Sequence, residues 1–117
     1  MTEEKSNDTL GNSLKVALAS SFGFYLKAHN YHWNVEGENF NDYHAFFGNL
    51  YAEVWAAVDL IAEHIRTLDV YVPGSLGRYY QLSEVKDETN IPTAINMARK
   101  LEEDNKTLQN VIHSNNI

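Results

Sequence analysis

The chain has 117 residues, enough for one domain (1–117) with a modest core. Its formal net charge of −7 argues against direct binding to nucleic acid, because such proteins carry a basic patch or tail and neither end of this chain has one. Cysteine is absent, which excludes disulfides and thiolate metal sites; with no signal peptide and no apolar run of membrane length in view, a soluble cytoplasmic protein is the expectation.

Residues 1 to about 8 read as a disordered tail. From about Thr9 to Val35, Leu14, Ala17, Leu18, Ser21, Phe22, Tyr25, Leu26, His29, His32 and Trp33 recur at helical spacing, with Asp8 or Thr9 as the N-cap. Gly23 is tolerated inside this helix at a cost, and Gly37 ends it. His29 is expected to be a packed or hydrogen-bonded histidine. By periodicity alone His32 would be the same.

A second helix runs from about Asn39 to Leu68, with Asn39 or Asn41 as its cap and Gly48 as its one weak point. At about 100° per residue, Phe47, Leu50, Val54, Val58, Ile61, Ile65 and Leu68 form an apolar stripe that faces a core. A second face carries His44, Gly48, Trp55, Asp59, Glu63 and Arg66, with small Ala52 and Ala56 among them. Imidazole and carboxylate are the side chains that bind iron, zinc or manganese. Asp59 and Glu63 are one turn apart and can hold one cation between them. At about 1.5 Å rise per residue, His44 lies roughly 22 Å from them along the same rod. A site using all these groups therefore needs a second copy of the helix. An antiparallel partner about a two-fold axis between Glu53 and Val54 would set His44 opposite Glu63 and Gly48 opposite Asp59, making two identical sites.

The segment from Leu68 to Ile91 is a long connection with a turn at Pro73-Gly74 and a short helix over Ser75 to Tyr80. Its length suits a crossover rather than a tight hairpin. Tyr71, Tyr79 and Tyr80 are expected to pack against the bundle or a neighbouring subunit. The third long helix spans about Pro92 to Ile112, with Pro92 at its first position and a stripe of Ile95, Ala98, Leu101, Leu108 and Ile112. Glu102-Glu103-Asp104 reads as a solvated face.

His32-Trp33-Asn34-Val35, Gly37, Phe40, His44 and the run Asp59 to Ile65 resemble, in residue types and spacing together, the signature of the Dps family (DNA-binding proteins from starved cells, or mini-ferritins), and the likeness runs from about Leu10 to Ile112. The resemblance implies an all-α, ferritin-like four-helix bundle assembled as a homo-oligomer, a hollow dodecamer in the family. It also implies iron as Fe(II)/Fe(III), oxidised by hydrogen peroxide and sequestered at a site between subunits. The ligands it implies are His32 and His44 from one subunit and Asp59 and Glu63 from its partner, and it suggests that Trp33 shields the site or intercepts radicals. Glutamate three residues before histidine, the pair that ordinary ferritins use, does not occur in the chain.

Two departures stand out. The family usually has aspartate four residues after the second histidine, and Gly48 stands there. A Dps subunit has a fourth bundle helix after the third long one, whereas only His113-Ser-Asn-Asn-Ile remains here. Another subunit filling the groove, a fragment of a longer chain, and a different packing of the third helix all satisfy this. The expected function is a ferroxidase-type, iron-sequestering protein that protects against oxidative damage. The alternative is an oligomeric helical assembly protein with a Dps-type interface and a degraded site; zinc or manganese binding without redox chemistry also stays open.

Overall fold

A computed structural model describes the backbone of residues 2–114 and the side chains of residues 9–114. The described residues form four helices and no strand: α1 (Thr2–Asn34), α2 (Phe40–Thr67), α3 (Leu76–Leu82) and α4 (Ala94–Ser114). Three are long and the fourth, α3, is the short helix of the crossover. The side chains of residues 1–8, the expected tail, lie outside the described set. The backbone is already helical from Thr2, so Asp8 and Thr9 sit inside α1 rather than at its cap.

At about 1.5 Å per residue a 33-residue helix is roughly 50 Å long, and α1 sets the 59 Å length of a body only 22 Å across. It packs against all three other helices. For that reason Ala17, Leu18, Ala19, Ser20 and Ser21 are buried in succession, where a surface helix would bury a single stripe. The central helix also buries Phe24, Ala28 and Tyr31, and Val35 just beyond its end, none of them in the expected stripe, while Leu26 and Trp33 of that stripe are exposed.

Two apolar clusters lie along the rod. Leu14, Leu18 and Ile65 are buried at one end, with Val58, Ile61 and Leu68 against them; Phe24, Tyr31, Phe47, Met97 and Leu101 are buried at the other, with Leu50 and Val54 alongside. Every member of the expected α2 stripe is thus in a core. The α4 stripe is shifted: Met97, Leu101 and Val111 are buried, and Ile95 is exposed. Pro92 stands two residues ahead of α4, and Thr93 caps it, its Oγ1 accepting from the Asn96 amide and its carbonyl from Met97.

The crossover is tied to α1 where a glycine allows it. The Ser20 hydroxyl accepts from the Glu84 amide at 3.0 Å, and Val85 beside it is buried. A Cβ on Gly23 would lie 2.9 Å from Ser83 Oγ, so glycine is what lets the segment approach. Tyr79 stacks on Phe22 as expected (4.5 Å between ring centroids), but Tyr71 and Tyr80 project from this single chain. Asp104 is not part of a solvated face. It accepts from Lys27 Nζ at 2.8 Å, and both side chains are largely buried.

Helix α2 keeps two surfaces open to solvent. One carries Ala52 and Ala56 beside Asp59 and Glu63, with Trp55 half exposed at its edge where it packs on Tyr25 of α1; the other carries Phe46 and Leu60, which are 54% and 62% exposed. By length and composition alone this helix is apolar enough to cross a membrane, contrary to the sequence expectation. In the fold it is a bundle helix with unpartnered sides.

Candidate metal centre

The C-terminal turn of α1 meets the first turns of α2 through two histidines. His32 Nδ1 donates to the His44 carbonyl oxygen at 2.7 Å, and His44 Nδ1 donates to the His32 carbonyl oxygen, also at 2.7 Å. A carbonyl can only accept, so both Nδ1 atoms carry the hydrogen. In each neutral ring Nε2 then keeps the lone pair, the form in which imidazole binds a metal. The two rings stack at 3.8 Å and 18°, and Phe40 stacks on the outer face of His44 at 5.0 Å.

Gly48 lies close against this pair. A Cβ there would lie 3.1 Å from both Nδ1 and Cε1 of His32, so a side chain at 48 would require the imidazole to give by a few tenths of an ångström. The glycine that stands where the resemblance implies aspartate therefore also bears on how His32 is seated.

The structure brings His32 and His44 together and leaves Asp59 and Glu63 apart from them. Both carboxylates are exposed on α2 and neither joins an ion pair among the described residues. No group of three or more metal-binding side chains is assembled within the described part of one chain.

His29 is packed and hydrogen-bonded, as expected. Its Nδ1 lies 2.9 Å from the Tyr25 hydroxyl, and its ring lies between Tyr51 (3.9 Å, 10°) and Trp33 (3.8 Å). Burial first, and the neighbouring His32 second, hold its pKa below the ordinary histidine value. Tyr51 stands edge-on to His32 at 5.2 Å. Its place beside the histidines was not anticipated, though the spacing carries the signal: Tyr51 follows His44 by seven residues, two turns along the same side of the helix.

A ferritin-like domain model matches residues 12–114. The chain belongs to the ferritin-like domain family. Within it the likeness is to Dps proteins. The Dps protein of Vibrio cholerae O1, described as a member of a broad superfamily of ferritin-like diiron-carboxylate proteins, superposes with a TM-score of 0.92 at 26% identity, over 96% of this chain and 70% of that one. Antigen TpF1 of Treponema pallidum gives 0.90 at 27% identity, over 95% and 72%. In sequence, DNA protection during starvation protein 1 of Deinococcus radiodurans is 33% identical over 74% of this chain and 43% of that protein. An uncharacterized low temperature-induced protein of Nostoc sp. is 32% identical over 92% of this chain. The chain spans 60% of the length of that relative.

Proposed function

We propose that the protein binds Fe(II) as a Dps-type mini-ferritin, oxidises it with hydrogen peroxide and holds the ferric product as part of a homo-oligomer. The observation that carries this reading is the reciprocal histidine pair. Two imidazoles with Nδ1 committed to backbone carbonyls and Nε2 left for a ligand are a half-built metal site, and orienting hydrogen bonds of this kind fix the tautomer of metal-binding histidines. The other half would come from a two-fold partner, whose exposed Asp59 and Glu63 supply the carboxylates. The V. cholerae relative's description as a diiron-carboxylate protein supports iron as the substrate.

The chain's own residues have distinct tasks. His32, Asp59 and Glu63 bind the first iron, and the carboxylates stabilise the ferric charge as it forms. His44 holds the second iron or the oxidant, a weaker position because Gly48 brings no carboxylate. Two Fe(II) ions each give up one electron and one peroxide takes both. Gly48 favours a second reading, an assembly protein that keeps the interface without efficient oxidation.

Mixing subunits decides the matter. His32→Ala and Asp59→Ala protomers should each lose high-affinity iron. When the two are unfolded together and refolded, each hybrid dimer should regain one intact site, seen as iron retained on gel filtration and as peroxide-dependent Fe(II) oxidation. Absence of rescue would refute the shared site. Rescue of iron binding without oxidation would establish the second reading.

A further inference from the structure

The aromatic rings around the histidine pair form one connected array, and one member can lose a proton as well as an electron. From His32 the array passes to Tyr51 (5.2 Å) and from there to Tyr25 (6.1 Å); His29 lies face to face with Tyr51, and Trp55 packs on Tyr25 at 4.7 Å. Among the tyrosines described, Tyr25 has its hydroxyl on an imidazole nitrogen, His29 Nδ1 at 2.9 Å, whereas Tyr31 donates to a carboxylate. Tyr51 neighbours both His32 and Tyr25 but carries no such acceptor.

We propose that Tyr25 and His29 form a redox-active pair, a one-electron sink reached from the histidine site through Tyr51. A phenol gives up an electron far more readily when its proton has somewhere to go. A neutral His29 with its hydrogen on Nε2 offers Nδ1 as that acceptor. In the step, a strong one-electron oxidant of the hydroxyl-radical class takes one electron from the array and becomes hydroxide. The Tyr25 O–H bond breaks, its proton forms an N–H bond at His29 Nδ1, and a neutral tyrosyl radical remains. A second Fe(II) then returns the electron and becomes Fe(III), while His29 gives the proton back. Together with the Fe(II) that made the oxidant, two Fe(II) are consumed per peroxide and no radical leaves the protein. The natural source of the oxidant rests on the iron reading above; the Tyr25–His29 pair does not.

The test uses two oxidants so that the two ideas fail separately. In a background where exposed Tyr71 and Tyr80 are phenylalanine, flash-generated ruthenium(III) tris-bipyridine should give a tyrosyl radical by electron paramagnetic resonance in metal-free protein. The signal should be lost in Tyr25→Phe, which keeps the ring and its packing. It should form more slowly in D2O and in His29→Phe. An unchanged tyrosyl signal in Tyr25→Phe would overturn the pair. With Fe(II) and peroxide, freeze-quenched samples should show the same radical, and Tyr51→Leu should suppress it there while sparing the ruthenium-driven one. A ruthenium-driven radical at Tyr25 with none from iron and peroxide, in protein shown to bind iron, would overturn the relay through Tyr51. The same result in protein that binds no iron would overturn the iron reading and leave the pair standing.

Discussion

Gly48 offers a quantitative test of how His32 is seated. Replacing glycine by alanine inside a helix is ordinarily worth about 1 kcal/mol of stability. At Gly11, where a Cβ would meet only Val70 at 3.5 Å, the whole gain should appear. At Gly48 the new Cβ lies 3.1 Å from the His32 ring, which must retreat by a few tenths of an ångström. Pushing a side chain about 30° off its rotamer costs of order 0.5–1.5 kcal/mol. Weakening its 2.7 Å hydrogen bond to the His44 carbonyl costs up to about 1 kcal/mol more. Gly48→Ala should therefore fall between about 0.5 kcal/mol stabilising and about 1.5 kcal/mol destabilising, while Gly11→Ala stabilises by about 1 kcal/mol. Urea unfolding followed by circular dichroism, at one protein concentration because assembly contributes to stability, measures both. Equal stabilisation of the two variants would refute the claim that His32 crowds position 48. The same pair of variants isolates the missing ligand. Gly48→Asp compared with Gly48→Ala removes the crowding common to both, and on the proposed function the aspartate should oxidise Fe(II) faster than the alanine. No difference would mean that the second iron position is not limiting.

Lys27→Met strands Asp104 in a largely buried position and should cost about 3 kcal/mol in urea unfolding; Lys27→Met with Asp104→Leu should recover most of it. Gly23→Ala displaces the Ser83 hydroxyl, and with about 1 kcal/mol of helix gain set against about 1–3 kcal/mol of crowding it should be neutral to about 2 kcal/mol destabilising, with faster amide exchange confined to the crossover. Tyr31 donates to Glu88 at 2.7 Å, and this bond, ahead of the Lys100 ion pair, holds the Glu88 carboxyl below the ordinary carboxylate range. A depressed carboxyl stabilises the fold above its unfolded pKa of about 4.3 and loses that contribution as pH falls through the folded value. Tyr31 itself is pushed up, by burial first and then by the bond to Glu88, so its contribution holds below about pH 10 and is lost as pH rises towards the raised value. Tyr31→Phe should cost about 1.5–3 kcal/mol at neutral pH, and the acid limb of its stability profile should be flatter than the wild type's. An unchanged acid limb would show that Lys100 and the Asn90 amide hold Glu88 without help from Tyr31.

The stripe of α2 was legible because that helix meets the core along one side only, and a single side leaves a clean 3.6-residue period. The stripe of α1 was legible only in part: Leu14, Ala17, Leu18 and Ser21 are buried as expected, but packing on three helices buries Ala19, Ser20 and Lys27 with them, and no periodicity separates these. Met97 replaced Ile95 in α4 since the helix starts at Ala94, after a threonine cap, and Pro92 stands outside it. His44, Asp59 and Glu63 were legible as candidates by residue type and helical spacing, whereas His32 became one only through the resemblance to the Dps signature. What spacing alone could not supply was the carbonyl bond at each Nδ1, which depends on how two helix ends lie against each other across the residues 35–39 connection.

That mutual bond also fastens the hairpin. Each histidine borrows its acceptor from the other's main chain, so the end of α1 and the start of α2 are clasped by the same rings proposed to receive iron. On that proposal the two imidazoles are held in place before any metal arrives, and little side-chain freedom remains to be lost on binding. The same economy makes the clasp vulnerable. Chemical damage to either imidazole would open the corner of the bundle as it removed the ligand, so that a spent site and a loosened subunit would be one event.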